Sequence, residues 1–202
     1  MKAPKLPHKL KLLTQSTELL TISKLRESGY ADAVVSRMTR EGQLERVGRG
    51  LYRHADSPIT ENHEIKAVFA QTQQAVVVLI SALRFHGIGT QVPHEVWIQI
   101  PASARMPALS WPPIRVVRTR LAAAFTEGVK EHHLGDIRVR VTTPARTVAD
   151  CFKHRSQIGL EPCLEALREV LEKHRNIMPE LTKHARMNRV LRVMQPYMEA
   201  MS

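Results

Sequence analysis

Two groups of side chains near the start of the chain have the residue types and the spacing that suit contact with nucleic acid. The first group lies on one face of a predicted helix, where guanidinium and hydroxyl groups can reach base edges and phosphates in a DNA major groove. The second lies on a predicted hairpin, whose arginines can clamp phosphate or enter a minor groove. The predicted DNA contacts are Ser36, Arg37, Thr39 and Arg40 on the helix, Arg46, Arg49 and Arg53 on the hairpin, and Lys24 against the DNA backbone.

The net charge also points to a polyanionic partner. The chain has 202 residues, a formal net charge of +11 at pH 7 and a pI of about 10.2. Residues 1–55 hold 11 Lys and Arg against 5 Asp and Glu, which is more than half of the excess. This balance argues against an acid-seeking or calcium-binding protein, and it favours nucleic acid over a membrane surface as the partner.

Three helices are predicted to position the first group. One begins after Pro7, a second covers residues 22–28 with Thr21 as its N-cap, and a third covers residues 32–41 and ends at Gly42. In the third helix the apolar side chains share one face, so the polar and basic side chains point the other way.

A tight hairpin is predicted after the third helix. Its strands cover residues 44–47 and 51–53, and the glycines at positions 48 and 50 can supply the positive φ that such a turn needs. Helix, helix, tight turn, helix and hairpin is the order of elements in a winged helix-turn-helix. A solvated basic surface on a small helical domain is the alternative interpretation.

The rest of the chain is predicted to be a second domain. A polar connector around Pro58 separates residues 1–55 from residues 61–202. A helix is predicted over residues 64–74 and a buried strand over residues 75–79, followed by further strands and then a series of helices. The predicted fold class is therefore α+β, with an N-terminal winged helix-turn-helix followed by a mixed α/β C-terminal domain that ends in helices.

The sequence does not favour a catalytic or metal site. Cys151 and His154 share a helix face, but no second pair of ligands at zinc spacing follows. Motifs of zinc proteases, phosphate loops, serine hydrolases and nucleases are missing. Arg146 and Asp150 have the spacing of an ion pair on a helix surface, which we interpret as structural. We therefore expect no catalytic residue, no metal and no cofactor.

Membrane association is not expected either. The longest apolar run, residues 75–80, is far shorter than the roughly 20 residues that a membrane span needs. The lysine-rich N-terminus has no apolar segment of the signal-peptide type. We therefore expect a cytoplasmic protein with reduced cysteines.

Basic strands in the second domain allow two interpretations. They could form a second nucleic-acid surface, or they could be the solvated outer faces of a half-buried sheet. Their cations are Arg115, Arg118 and Arg120 in one strand and Arg138 and Arg140 in another.

Four ordered motifs resemble the AbiEi family of bacterial antitoxins and transcriptional regulators. They are GQLERVGRGLY at residues 42–52, ISALRFHG at residues 80–87, PHEVW at residues 93–97 and TPARTVAD at residues 143–150. Together with their surroundings they cover nearly the whole chain from about residue 16. One departure from the expected pattern is Ala31, which stands where a Ser or Thr N-cap would precede the third helix.

The resemblance implies a protein with two roles. Its winged helix would bind inverted repeats in the double-stranded DNA of its own promoter, as an autorepressor. Its C-terminal domain would neutralise a cognate nucleotidyltransferase-like toxin of a type IV toxin-antitoxin system without forming a stable complex. No catalysis is implied. Two other functions stay open: a DNA-binding module joined to a nuclease or another enzymatic domain, and a transcription factor whose C-terminal domain senses a small molecule.

Overall fold

A computed structural model describes residues 19–55, 62–72, 74–107, 109 and 111–201. These residues form two compact units. The first contains the described residues up to 72 together with Met106–Pro113 and His133–Val139, and the second contains the remainder. The helix predicted after Pro7 lies outside the described residues. The domain limits predicted at residues 55 and 61 stay a prediction.

The first unit is built from a short strand, two helices, a hairpin and a further helix. A three-stranded antiparallel sheet places Leu51–His54 between Leu20–Thr21 and Leu44–Gly48. Both helices before the hairpin and both of its strands agree with the sequence prediction to within one residue at each end. The elements are β1 (Leu20–Thr21), α1 (Ile22–Glu27), α2 (Asp32–Arg40), β2 (Leu44–Gly48), β3 (Leu51–His54) and α3 (His63–Phe69).

Glycine turns end the first two helices. After α1, Gly29 has a φ of +91°, and the Tyr30 amide donates to the Leu25 carbonyl at 3.0 Å. After α2, Gly42 adopts a φ of +72° with the same pattern of hydrogen bonds. Because only glycine takes up this left-handed backbone at little cost, both residues are what allows the chain to reverse so tightly.

A small apolar core orients α2. Val35 and Met38 are 1% and 3% exposed, and they pack against the side chains of α1, β1 and β2. Since both lie on one face of the helix, the opposite face has to point to solvent. The buried members of this core are Leu20, Leu25, Val35, Met38 and Leu44.

The remaining elements form a mixed sheet followed by helices, which confirms the predicted fold class; residues 133–139, around the turn between the last two strands, belong to the first unit. In the sheet, Val96–Pro101 runs parallel to Ile114–Thr119 and antiparallel to Val76–Val77. The order of the strands across the sheet is Ile114–Thr119, Val96–Pro101, Val76–Val77, Ile137–Thr142 and Val129–Leu134. A 3-10 turn, Ala122–Phe125, precedes β7. The elements are β4 (Val76–Val77), α4 (Leu79–Phe85), β5 (Val96–Pro101), β6 (Ile114–Thr119), β7 (Val129–Leu134), β8 (Ile137–Thr142), α5 (Pro144–Lys153), α6 (Arg155–Ile158), α7 (Leu160–Lys173), α8 (Met178–Met187) and α9 (Leu191–Ala200).

Two predicted elements have the wrong length. The helix predicted over residues 64–74 is α3, which ends at Phe69, and the strand predicted over residues 75–79 is the two-residue β4. Residues 75–80 are all buried, so every position is apolar and the sequence shows neither the period of a half-buried strand nor that of an amphipathic helix. The chain turns into α4 at Leu79, whose φ is +51°.

Helix α5 is the centre of the second core. Thr143 caps its N-terminus by accepting a hydrogen bond from the Arg146 amide. Residues 145–152 are all buried, because α5 packs against α4, α7 and α8. The prediction that Arg146 and Asp150 form a surface ion pair is therefore wrong in its location: the pair forms, with Nε 2.8 Å from Oδ1, but the side chains are only 3% and 7% exposed.

Burial also affects ionisable groups in the second unit. The buried thiol of Cys163 has its pKa raised to about 11, and the pKa of the Cys151 thiol is likewise raised by burial. Burial lowers the pKa of the imidazoles of His86 and His184 below 6.5. The two remaining histidines that show the same effect for the same reason are His132 and His154.

The described part of the chain contains no helix with the length and apolar character needed to cross a membrane.

The N-caps of α1 and α2 predict that one substitution stabilises the first unit and another destabilises it. Ala31 has the extended backbone of an N-cap but no side-chain acceptor, so Ala31→Ser is expected to stabilise the first unit by about 0.5–1 kcal/mol. Thr21→Ala removes an existing cap of α1 and is expected to cost about 1 kcal/mol. Urea denaturation followed by circular dichroism measures both, and a loss of stability in Ala31→Ser would contradict the assigned cap position.

The buried histidines lead to a prediction of pH dependence. In the unfolded chain these imidazoles titrate near 6.5, whereas in the folded chain their pKa is lower. Below pH 6.5 the unfolded chain therefore binds protons that the folded chain does not, and stability falls as the pH drops. The melting temperature of the second unit is expected to be lower at pH 5.5 than at pH 7.5.

A pair of variants tests the cause. His184→Leu removes one buried imidazole and should flatten the pH dependence, whereas His94→Gln, at an exposed histidine of the same unit, should leave it unchanged. A melting temperature of the wild-type protein that does not change between the two pH values would disprove the prediction.

Candidate nucleic-acid interface

The outer face of α2 carries most of the side chains predicted to read DNA. Ser36, Arg37 and Arg40 are exposed, and the two arginines lie one helical turn apart on the same side. Thr39 is half-buried, and its hydroxyl donates to the Val35 carbonyl at 2.9 Å. The threonine donor is thus already used inside the helix, and the two arginines provide the free donors.

An ion pair joins the two helices at the start of α2. The Arg26 guanidinium lies 2.6 Å from the Asp32 carboxylate and lowers the pKa of that carboxyl group. Both side chains are exposed, so solvent screens the pair and it adds little to stability. Its consequence is electrostatic, because Asp32 would otherwise place an uncompensated negative charge beside the basic face.

The hairpin turn holds Arg49 at its tip. Gly50 has a φ of +67°, and a Cβ at this position would lie 3.3 Å from Cγ2 of Ile22. Gly48 has no positive φ, contrary to the expectation for both glycines; it is buried, and a Cβ there would lie 3.4 Å from Nε2 of Gln71. The Arg49 side chain is exposed, with no ion pair to another described residue.

The two other arginines of the hairpin differ from each other. Arg46 is exposed, and its Nε donates to the Gly48 carbonyl at 3.3 Å. Arg53 is half-buried, stands opposite Glu45 in the register of β2 and β3, and forms an ion pair with it at 2.6 Å. The charge of Arg53 is therefore partly compensated before any DNA is bound.

Lys24 has an acidic partner as well. Its ammonium group forms an ion pair with Asp136, from the turn between β7 and β8 that belongs to the first unit. These residues are 112 positions apart, and no sequence pattern connects them. Lys24 can still face DNA backbone, but it carries less free charge than the sequence indicates.

A groove beside the hairpin adds aromatic surface that sequence reasoning missed. The rings of His63 and Trp111 are stacked with centroids 5.6 Å apart. The groove has a volume of about 300 Å³. Arginines next to aromatic rings suit the sugars and bases of nucleic acid. The groove is lined by Leu19, Glu45, Arg46, Val47, Arg53, His63 and Trp111.

The eight predicted contact residues thus all lie in the first unit, but they are not equivalent. Among the residues that the structure describes, four exposed cations of this set have no ion pair. They are Arg37 and Arg40 on α2, and Arg46 and Arg49 on the hairpin.

Within the described ranges, no group of three His, Cys, Asp or Glu side chains is placed to hold a metal ion.

Two helices joined by a glycine turn, the second with an exposed basic face, and a hairpin with an arginine at its tip make the first unit a helix-turn-helix unit followed by a hairpin. Residues 9–54, which include α1, α2 and the hairpin, match the family described as transcriptional regulator, AbiEi antitoxin. The resemblance found in the sequence is confirmed for this segment.

Most of the fold resembles that of a solved structure. It is similar to the crystal structure of the RV2827C protein from Mycobacterium tuberculosis, with a TM-score of 0.61 over 83% of this chain and 68% of that chain. The two sequences are 16% identical, so the likeness concerns the fold alone. A comparison with curated proteins gives no match.

The ion pair of Arg53 leads to a prediction with an unusual sign. Glu45→Gln removes an acid from the hairpin and frees the Arg53 guanidinium, so it should tighten DNA binding by about three- to tenfold at low salt. Fluorescence anisotropy with a labelled duplex measures the change. Weaker binding of Glu45→Gln would show that this side of the hairpin does not face DNA.

Proposed function

We propose that the protein is a transcriptional autorepressor and antitoxin of a type IV toxin-antitoxin system, in which the first unit is a winged helix-turn-helix that binds DNA. The observation that carries this proposal is the exposed arginine pair on α2, together with the family match over residues 9–54. A cytoplasmic location and a role without catalysis belong to the same proposal.

Base recognition is assigned to α2. An arginine guanidinium can donate two parallel hydrogen bonds to O6 and N7 of guanine, and each such pair discriminates against other bases by about 1–3 kcal/mol. Arg37 and Arg40 are exposed and carry no ion pair to other described residues, so DNA binding does not have to break an existing contact. Ser36, on the same face, adds a hydroxyl for a phosphate or a base edge.

Affinity is assigned to the hairpin. Arg49 at the tip and Arg46 on β2 would neutralise phosphates or enter a minor groove. With these two and the two arginines of α2, about four cations engage DNA, so the logarithm of affinity should fall against the logarithm of salt concentration with a slope near −3.6 per bound copy.

The operator and the toxin partner follow from the family resemblance. Inverted repeats in the promoter of its own operon would be bound by two copies of the winged helix, because a palindromic site presents the same half-site twice. The second unit would counter a nucleotidyltransferase-like toxin without a stable complex. The family match over residues 9–54 supports a role as an antitoxin regulator.

Three variants test the proposal. Arg37→Ala should weaken binding to promoter DNA and relax sequence preference, and Arg37→Lys should keep most of the affinity but lose the preference, since lysine has no bidentate fork. Arg49→Ala should weaken binding to promoter and scrambled duplexes by the same factor. A gel-shift titration on both DNAs measures all three.

The matched control is Arg168→Ala, at an exposed arginine on α7 in the second unit, which should leave DNA binding unchanged. Equal losses for Arg37→Ala, Arg49→Ala and Arg168→Ala on both DNAs would overturn the assignment of the first unit as the DNA-binding element.

A further inference from the structure

The second unit contains a small polar cavity that the proposed function does not use. It has a volume of about 90 Å³, which is enough for several water molecules or one tetrahedral oxyanion. Its walls come from α4, β5, β6, α5 and the turn after α8. All of these elements belong to the second unit, so the cavity is independent of the DNA-binding surface.

The floor of the cavity is a buried hydrogen-bond network. Asp150 accepts from Nε of Arg146 at 2.8 Å and from Nδ2 of Asn188 at 2.6 Å. Arg146 also donates to the Glu127 carbonyl at 2.8 Å. Among the described residues that line the cavity, Asp150 is the one acid, and its carboxylate is already occupied by these two donors.

Cations form the rim. Lys153 is exposed, and its ammonium group lies 3.5 Å from Oδ1 of Asn188 at the cavity floor. Arg118 is held in place by donating to the carbonyls of Ala102 at 2.9 Å and Ala104 at 2.7 Å. His154 is half-buried beside them. The lining residues thus carry an excess of two positive charges even with a neutral imidazole.

Two features of the cavity, a buried ion pair and a strained backbone, are not explained by a contribution to the stability of the fold. A buried ion pair is often no more stable than apolar residues of the same volume, because both charges lose their hydration. Leu79, which also lines the cavity, has a φ of +51°. This backbone conformation is strained for leucine, and strained conformations of this kind cluster at functional sites.

We propose that this cavity binds a phosphate group. Lys153 and His154 on α5 line the cavity with groups that can donate to a phosphate oxygen, and Arg118 on β6 adds a positive charge to the lining. The excess of two charges matches a phosphate dianion. The satisfied carboxylate of Asp150 does not repel the ligand, because Arg146 compensates its charge.

The phosphate can belong to inorganic phosphate, to a nucleotide or to the end of an oligonucleotide. Isothermal titration calorimetry with the full chain separates these sources by using inorganic phosphate, ATP, and one oligonucleotide with either a 5′-phosphate or a 5′-hydroxyl group. Saturable binding with one site per chain is expected for at least one phosphate ligand. If the site takes the end of an oligonucleotide, the 5′-phosphate form should bind more tightly than the 5′-hydroxyl form.

Two substitutions at the rim test the site. Lys153→Gln should weaken phosphate binding by about tenfold or more, since it removes a charge-assisted hydrogen bond, and His154→Gln should weaken it less. Arg168→Gln, at an exposed cation away from the cavity, is the control and should not change binding.

Binding that is lost equally in Lys153→Gln and Arg168→Gln would overturn the proposal, because it would show general charge attraction. The absence of saturable binding for every phosphate ligand would overturn it too. Neither result bears on DNA binding by the first unit, which the gel shift measures separately.

Discussion

The burial of Val35 and Met38 against Leu25 and Leu44 is the interaction on which the exposed basic face of α2 depends. A helix of nine residues has little stability of its own, so its orientation comes from this apolar contact rather than from helix propensity. Once the apolar stripe is buried, Arg37 and Arg40 have to face solvent. The glycine turns at both ends of α2 set where the helix enters and leaves this core.

Charge compensation then decides which of the basic residues are available to a ligand. The first unit pairs Arg26 with Asp32, Arg53 with Glu45 and Lys24 with Asp136. These pairs partly neutralise the charge of Lys24, Arg26 and Arg53. The arginines of α2 and of the hairpin tip have no acidic partner among the described residues. The net charge of the chain is therefore a poor measure of the basic surface that is open to a ligand, and the distribution of acidic residues is a better one.

Local signals in the sequence predict α1, α2 and the hairpin of the first unit well. Thr21, Gly29, Gly42 and the glycines of the hairpin mark the ends of elements, and the spacing of apolar residues gives the faces of α1 and α2. The same local rules predict the cap of α5 by Thr143. They work because each of these features depends on residues within a few positions of each other.

Long-range packing explains what the sequence does not predict. Strand β1 exists only because Leu20 and Thr21 pair with β3, and the ion pair of Lys24 with Asp136 connects distant segments. Arg146 and Asp150 have the spacing of an ion pair on an exposed helix face, but three other helices pack against their helix, so the pair is buried. The site residues proposed for DNA could be chosen from local pattern, whereas the phosphate cavity is assembled from five separate segments and has no local signature.

DNA recognition by α2 is measured most directly by a crystal structure of the full chain bound to duplex DNA from its own promoter. We expect α2 to lie in the major groove with Arg37 or Arg40 within hydrogen-bond distance of a base edge, and Arg49 to contact a phosphate or the minor groove. A complex in which the outer face of α2 stays in solvent while DNA lies elsewhere on the chain would contradict it.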